Sequence, residues 1–225
     1  MCKFFSFVTK GSNKYYFDWN MRKELLKSNP NELTPDSHTS ICKVFNLNDD
    51  KVNKYEYNPL TKFFETDQIN IKDNQALAKK WVEKLDFQMV IEPLIIKPII
   101  HPFKIHPPEI TDKHIELLKS WNSVRDSVGD SVGASVRASV GDSVGYSVGA
   151  SVWASVGDSV GYSVGAYISS FYIIEKWKYI DHEPFKNPFQ SCIDLWGMGL
   201  VPSYNGTIWR LHGGEQGKVL FEINS

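Results

Sequence analysis

Residues 123–166 read SVRD SVGD SVGA SVRA SVGD SVGY SVGA SVWA SVGD SVGY SVGA, eleven consecutive tetrapeptides of the form Ser-Val-x-x. The first two positions never vary. The third is Gly eight times, Arg at 125 and 137, and Trp at 153; the fourth is Asp four times, Tyr at 146 and 162, and Ala in the other five. A position that accepts Gly, Arg and Trp in turn faces solvent, whereas one that admits only Val is packed. The fold of this half of the chain turns on whether such a pattern makes a helix or a coil.

A four-residue repeat advances by about 400° on an α-helix, so its Val stripe drifts about 40° per tetrad and circles the axis in about nine tetrads. No single flat partner can bury that stripe, and each Gly costs about 1 kcal/mol of helix stability relative to Ala. A β-solenoid meets both objections, with Ser-Val on a short side, Val stacked inward and Gly at the corners, where positive φ is free of strain. A longer period supports it: 131–146 and 147–162 agree at 15 of 16 positions, differing only at Arg137 and Trp153. Sixteen residues make four sides of four, which would align Asp126, Asp142 and Asp158 in one column. Duplication of a 16-residue unit gives the same identity without geometric meaning. A long helix through the repeat is the alternative, because no breaker precedes Ser123.

The remainder of the chain is unlike the array. The whole protein has 225 residues, 42% of them hydrophobic, and 25 Lys+Arg against 26 Asp+Glu. The repeat holds 8 of the 15 glycines and a charge of −2, which leaves +1 on the other 181 residues. Neither part is basic enough to bind nucleic acid by charge alone. The longest apolar run, 89–100, is interrupted by Glu92, Pro93, Lys97 and Pro98, far short of the roughly 20 residues of a membrane span. The start of the chain lacks a signal-peptide cleavage pattern. Cys2, Cys42 and Cys192 are an odd, scattered set, which fits a reducing cytoplasm better than a disulfide framework.

Turn chemistry lays out the rest as α+β. Residues 1–100 read as a mixed α/β domain, 101–110 as a Pro-rich linker, and 111–225 as a C-terminal unit carrying the repeat. Gly11-Ser12-Asn13 and Asn58-Pro59-Leu60-Thr61 each sit between aromatic runs and predict hairpins. Asp18 caps a helix over 19–27. Leu77, Trp81 and Leu85 define the buried stripe of a helix over 74–85, and 94–100 reads as a buried strand. Thr111 caps a helix that runs into the repeat, a second helix covers 167–179, and a third covers 189–196. The end of the chain alternates strand and turn, with Asn205-Gly206 the strongest hairpin signal of the sequence.

The tetrads resemble a shorter-period relative of the pentapeptide-repeat proteins, and that resemblance implies a right-handed square β-solenoid over 123–166. The chain as a whole resembles a phage and prophage protein family that shares the MCKFFSFVT-like start, the Ser-Val tetrads and the ending LWGMGLVPSYNGTIWRLHGG. No activity is assigned to that family. The resemblance implies an accessory protein of a phage or mobile element, working in the host cytoplasm.

Candidate chemistry is sparse. Cys2 would become an N-terminal nucleophile if Met1 is removed, its own amine serving as base. Amidotransferases of that type begin Met-Cys-Gly, however, and Lys3 follows here. The six histidines, His38, His101, His106, His114, His182 and His212, have no metal-ligand spacing. His212-Gly213-Gly214 resembles an oxyanion-hole turn but lacks a Gly-x-Ser-x-Gly partner. No cofactor motif is present and none is expected. Trp153 replaces Gly at an exposed position, and with Arg137, Tyr146 and Tyr162 it has the composition of a binding hot spot. The expectation is a non-enzymatic protein whose array presents Arg137, Trp153, Tyr146, Tyr162 and the column Asp126, Asp142 and Asp158 to a host protein or small ligand. An enzyme using Cys2 and a structural, self-assembling protein are the alternatives.

Overall fold

The computed structural model describes residues 5–28, 36–72, 75–91, 94–135, 150–156 and 160–224. The chain divides into two compact units, Met1–Ile96 and Lys97–Ser225. It is a mixed α+β protein, with one antiparallel sheet in each unit.

The first unit is built on a four-stranded sheet in the order β2-β1-β3-β4, with β1 at Phe5–Lys10, β2 at Asn13–Tyr15, β3 at Asn53–Asn58 and β4 at Phe63–Gln68. Both expected hairpins are present. Gly11, at φ +60°, makes the first turn, and Asn58 Oδ1 accepts the Leu60 amide (3.0 Å) within the second. Strand alternation splits the side chains into two unlike faces. Phe5, Phe7, Tyr55 and Tyr57 stack with one another and with Trp81 and Phe87 at centroid separations of 4.9–6.0 Å. On the opposite face Val8 joins Phe17, Ile41, Cys42 and Val52 under α2 (His38–Val44).

The first unit also buries charge. Arg22, on α1 (Trp19–Ser28), is fully buried; its Nε donates to the Phe17 carbonyl (2.7 Å) and its terminal nitrogens grip both oxygens of Asp36 (2.9 and 2.7 Å). Lys54 Nζ donates to Asp49 (2.6 Å) and Gln68 (2.8 Å). As expected, Asp18 caps α1, its carboxylate accepting the Met21 amide (2.9 Å). The helix α3 (Gln75–Val82) differs from its expected stripe: Ala78 and Val82 are buried while Leu77 is 62% exposed. Trp81 docks at the helix edge against Phe7 and Tyr16, and that contact rotates the buried face by one residue. A short helix, α4 (Phe87–Val90), follows.

The expected strand over 94–100 is not formed; after an isolated bridge at Leu94 the chain has no regular structure through Ile100. Pro98 lacks a ladder donor. Ile100 spends its backbone groups on side chains instead, its amide donating to Tyr167 Oη (2.7 Å) and its carbonyl accepting Trp196 Nε1 (3.0 Å). The Pro-rich stretch after it, read from sequence as a linker, lies within the second unit. Pro102–Lys104 forms a 3-10 turn there, with Phe103 buried.

The helix α5 (Asp112–Asn122) begins at the expected cap, where His114 Nδ1 accepts the Thr111 amide (3.0 Å). It ends before the repeat. The described part of the array consists of a 3-10 turn at Arg125–Ser127 and short helices: α6 (Val128–Ser135), α7 (Ala150–Val156) and α8 (Gly161–Ser169). Among these residues neither the β-solenoid nor one long helix is formed. The drift argument explains why. Over two tetrads the Val stripe turns only about 80°, within the width of one apolar face, so a described helix of about two tetrads keeps its Val residues on one buried side. Val128 and Val132 are 1% and 7% exposed, and Val160 and Val164 are 0% and 3% exposed. The helices pack closely at their glycines, where a Cβ on Gly165 would meet Val128 at 3.8 Å and one on Gly129 would meet Tyr162 at 3.6 Å, ordinary van der Waals contact in both cases. In two of the described tetrads the invariant Ser is buried beside Val as well. Ser131 Oγ donates to the Lys178 carbonyl and Ser163 Oγ to the Pro202 carbonyl (2.6 Å).

The helix expected over 167–179 stops at Ser169, and an irregular segment leads to α9 (Gln190–Gly197). The three terminal strands are as expected, β5 (Leu200–Tyr204), β6 (Ile208–Gly213) and β7 (Lys218–Asn224), paired antiparallel in that order. Tyr167 stacks on Trp196 (4.6 Å, 9°), and Trp121 and Trp177 both meet Phe189 edge-on, which closes the core of this unit.

Candidate functional site

Among the described repeat residues Arg125, at the 3-10 turn between α5 and α6, has the most elaborate surroundings. Its guanidinium carbon lies 4.7 Å from the ring centre of Tyr204, 5.1 Å from Tyr162 and 5.6 Å from Trp209. Three separate pieces of chain supply those rings. Tyr162 comes from the start of α8; Tyr204 and Trp209 face each other across the β5–β6 pair and stack at 4.7 Å. The Asn205-Gly206 turn fixes that pair, its Asn205 Oδ1 accepting the amides of Thr207 (3.1 Å) and Ile208 (2.8 Å), while Tyr204 Oη donates to the Gly206 carbonyl (2.8 Å). Arg125 also donates to the Asp126 carboxylate.

The cluster is held from below and open above. Arg125 is 19% exposed, Tyr162 42% and the Asp126 side chain 79%. Arg125 Nε and Trp209 Nε1 are buried donors without a hydrogen-bond partner. A guanidinium over an aromatic face gains about 0.5–1 kcal/mol at an exposed site and more when desolvated. The arrangement therefore fixes a cation that is otherwise costly to order and presents it beside an exposed carboxylate and a phenol ring.

Of the residues proposed from sequence, the structure brings Tyr162 and Asp126 together through Arg125. Cys2, Arg137, Asp142, Tyr146 and Asp158 lie outside the described residues, as does the Trp153 side chain, although its backbone is part of α7. Arg125, Tyr204 and Trp209 are members that sequence reasoning missed. Arg125 carried a signal, being one of two Arg at a position otherwise almost always Gly. Tyr204 and Trp209 carried one only through the Asn-Gly turn that sets them opposite each other.

Two Ser–His pairs have the reach of a nucleophile and base. Ser203 Oγ and His212 Nε2 are 2.7 Å apart, and His212 Nδ1 faces the Gly217 carbonyl (3.0 Å), which makes Nδ1 the protonated nitrogen and Nε2 the acceptor. That tautomer suits a base, yet Ser203 and His212 are 3% and 6% exposed, so no substrate carbonyl reaches them. Burial, with the nearby Arg210, holds the His212 imidazole below its ordinary pKa against the opposing pull of the Gly217 carbonyl and Glu222. The second pair, His101 Nε2 and Ser151 Oγ (2.7 Å), is exposed, but His101 Nδ1 is buried with no partner. A buried, unpaired Nδ1 is cheapest unprotonated, so Nε2 donates to Ser151 and is no base for it.

Thiol chemistry is also suppressed where it is described. Burial, helped by Asp49, pushes the Cys42 thiol up to about 11, and burial pushes Cys192 to about 12. Neither is a thiolate near neutrality. Among the described residues no group of three His, Cys, Asp or Glu side chains could hold a metal ion, and no helix is long and apolar enough to cross a membrane. No protein-family model, curated protein or solved structure matches the chain.

Proposed function

We propose that this chain is a non-enzymatic accessory protein of a phage or mobile element that binds a host protein through the repeat-bearing face of its second unit. The observation that carries this reading is the Arg125 cluster. Tyr, Trp and Arg are the residues that dominate binding energy at interfaces, and here an Arg is pre-ordered among three rings with Tyr162 and Asp126 left exposed. Pre-ordering lowers the entropy lost on association. The remaining corner residues of the array, Arg137, Tyr146 and Trp153 among them, extend the same reading along the repeat, with the Asp residues at 142 and 158 adding charge.

The test is affinity capture from host lysate with the full chain, quantified by mass spectrometry against two variants, Arg125→Ala/Tyr162→Ala and Trp153→Gly. A protein retained by the parent and depleted about tenfold or more by the double variant, about 1.4 kcal/mol or more of binding energy, supports the cluster as the binding face. Equal recovery by parent and variants, with both variants folded by circular dichroism, overturns it.

A further inference from the structure

A cleft of about 380 Å³ lies elsewhere in the second unit, between residues 103–107 and the turn that follows β6. Its size is at the small end of ligand cavities, roughly 300–1,000 Å³. One wall supplies Phe103, Ile105 and Pro107 as apolar surface together with the polar side chains of Lys104 and His106; the other is Gly214 and Glu215. Lys104 and Glu215 are exposed, and neither belongs to an ion pair among the described residues. A positive and a negative group thus stand on opposite sides of an apolar floor without neutralising each other.

The backbone of the second wall is unusual. Gly214 has φ +67° and ψ −177°, a conformation open in practice only to Gly, and Gln216 follows at φ +69°. The turn is pressed onto the first wall: a Cβ on Gly213 would lie 3.0 Å from Pro107, and one on Gly217 would overlap the Phe103 ring at 2.7 Å. Glycine at these positions keeps both walls close while leaving the cleft between them open. Gln216, a non-glycine residue in the left-handed region, carries strain of a kind that gathers at ligand clamps.

We propose that this cleft binds a small zwitterion, an α-amino carboxylate with a compact apolar side chain. The carboxylate faces Lys104, the ammonium faces Glu215, and the apolar body lies on Phe103, Ile105 and Pro107. Separated charges of opposite sign select a ligand carrying both, because a simple anion leaves Glu215 repulsive and a simple cation leaves Lys104 so. The site uses none of the Arg125 cluster and stands or falls independently of it.

L-Leucine is the probe, titrated into the isotopically labelled full chain and followed by amide NMR, with N-acetyl-L-leucine and L-leucinamide as partners lacking one charge each. Saturable shifts at Ile105, Gly214 and Glu215 with roughly millimolar affinity are expected for leucine, the level suited to a small ligand held by two solvated charges. Each singly charged analogue should bind about three- to fivefold more weakly. Glu215→Gln should weaken leucine by the same factor and strengthen N-acetyl-leucine by relieving its repulsion, and Lys104→Met should weaken leucine and strengthen leucinamide in the same way. Absence of saturable shifts overturns the proposal. So does equal affinity for all three compounds, which would mark an unselective apolar cleft, or preference for N-acetyl-leucine, which would mark an anion site.

Discussion

The sheet of the first unit and the repeat-built helices of the second bury polar groups by different means. In the first unit a whole guanidinium is taken out of water, and Arg22 survives there because Phe17 and Asp36 together accept from its Nε and both terminal nitrogens. In the second, burial proceeds by small groups: Ser131 and Ser163 each give one hydroxyl to one carbonyl, beside Val side chains that need no partner. A charge in the core concentrates stability in one contact, whereas repeated Ser-Val distributes it. Damage should therefore be local and large in the first unit, and graded in the second.

Arg22→Ala tests the concentrated case and carries the largest expected effect. It leaves Asp36, which is 17% exposed, without its partner, and breaking a buried pair from one side costs about 3–5 kcal/mol. The partial exposure of Asp36 places the expectation near about 3 kcal/mol, read as a shift of the first unit's urea transition. A loss below about 1 kcal/mol would mean that the pair is no more than a surface ion pair. Gly217→Ala comes next. It forces a side chain onto φ +62° and into the Phe103 ring, for a loss of about 2–3 kcal/mol in the second unit's transition.

Ser163→Ala sharpens the distributed case. It removes one buried hydroxyl and strands the Pro202 carbonyl, costing about 1–2 kcal/mol. The same change at Ser151, exposed on α7, should cost less than half of that, so the invariant Ser should divide into two classes by urea denaturation. Equal losses at the two sites would contradict the helical placement of the repeat.

The regions also differ in how far their sequence could be read. Strands and hairpins of both units were legible because Gly11, Asn58 and Asn205-Gly206 act locally: a turn needs only its own few residues. The repeat misled because its period was weighed against one partner over 44 residues, while the described helices span only about two tetrads each, too short for the Val stripe to drift off one face. The α3 stripe failed for a related reason, since Trp81 finds Phe7 and Tyr16 more than 60 residues earlier and rotates the helix to reach them. Of the Arg125 cluster, Tyr162 and Asp126 were legible as variable repeat residues and Arg125 as an anomaly at a Gly position. The rings that complete it come from β5 and β6, and no local pattern ties residue 125 to residues 204 and 209.

Acid should expose a cost shared by His212, which is buried, and His101, which is half-buried. His212 is held below its ordinary pKa mainly by burial, and His101 by burial and Lys104. A depressed folded-state pKa means that the unfolded chain takes up a proton the folded one refuses. Stability is then level above the ordinary histidine range, near about 6.5, and falls as pH drops through it toward the lowered folded value. The limit is about 1.4 kcal/mol per pH unit for each histidine. His212→Gln should flatten the pH dependence of the second unit's transition between pH 7.5 and 5.5 relative to the parent, and an unchanged slope would show that His212 takes up its proton as readily folded as unfolded.

The smallest expected effect falls on the exposed half of the Arg125 cluster. Asp126 pairs with Arg125, but its side chain is 79% exposed, so the pair is screened and its net contribution lies within about 0.5 kcal/mol. Asp126→Asn should leave the urea midpoint of the second unit almost unmoved. Arg125→Gly, which restores the residue most common at that position, should cost about 1 kcal/mol: it forfeits three ring contacts and relieves one buried donor that lacks an acceptor. The two variants separate what the cluster does for the fold from what it offers to a partner. If Asp126→Asn proves as destabilising as Arg125→Gly, the carboxylate rather than the rings holds the guanidinium, and a partner would find that cation already neutralised.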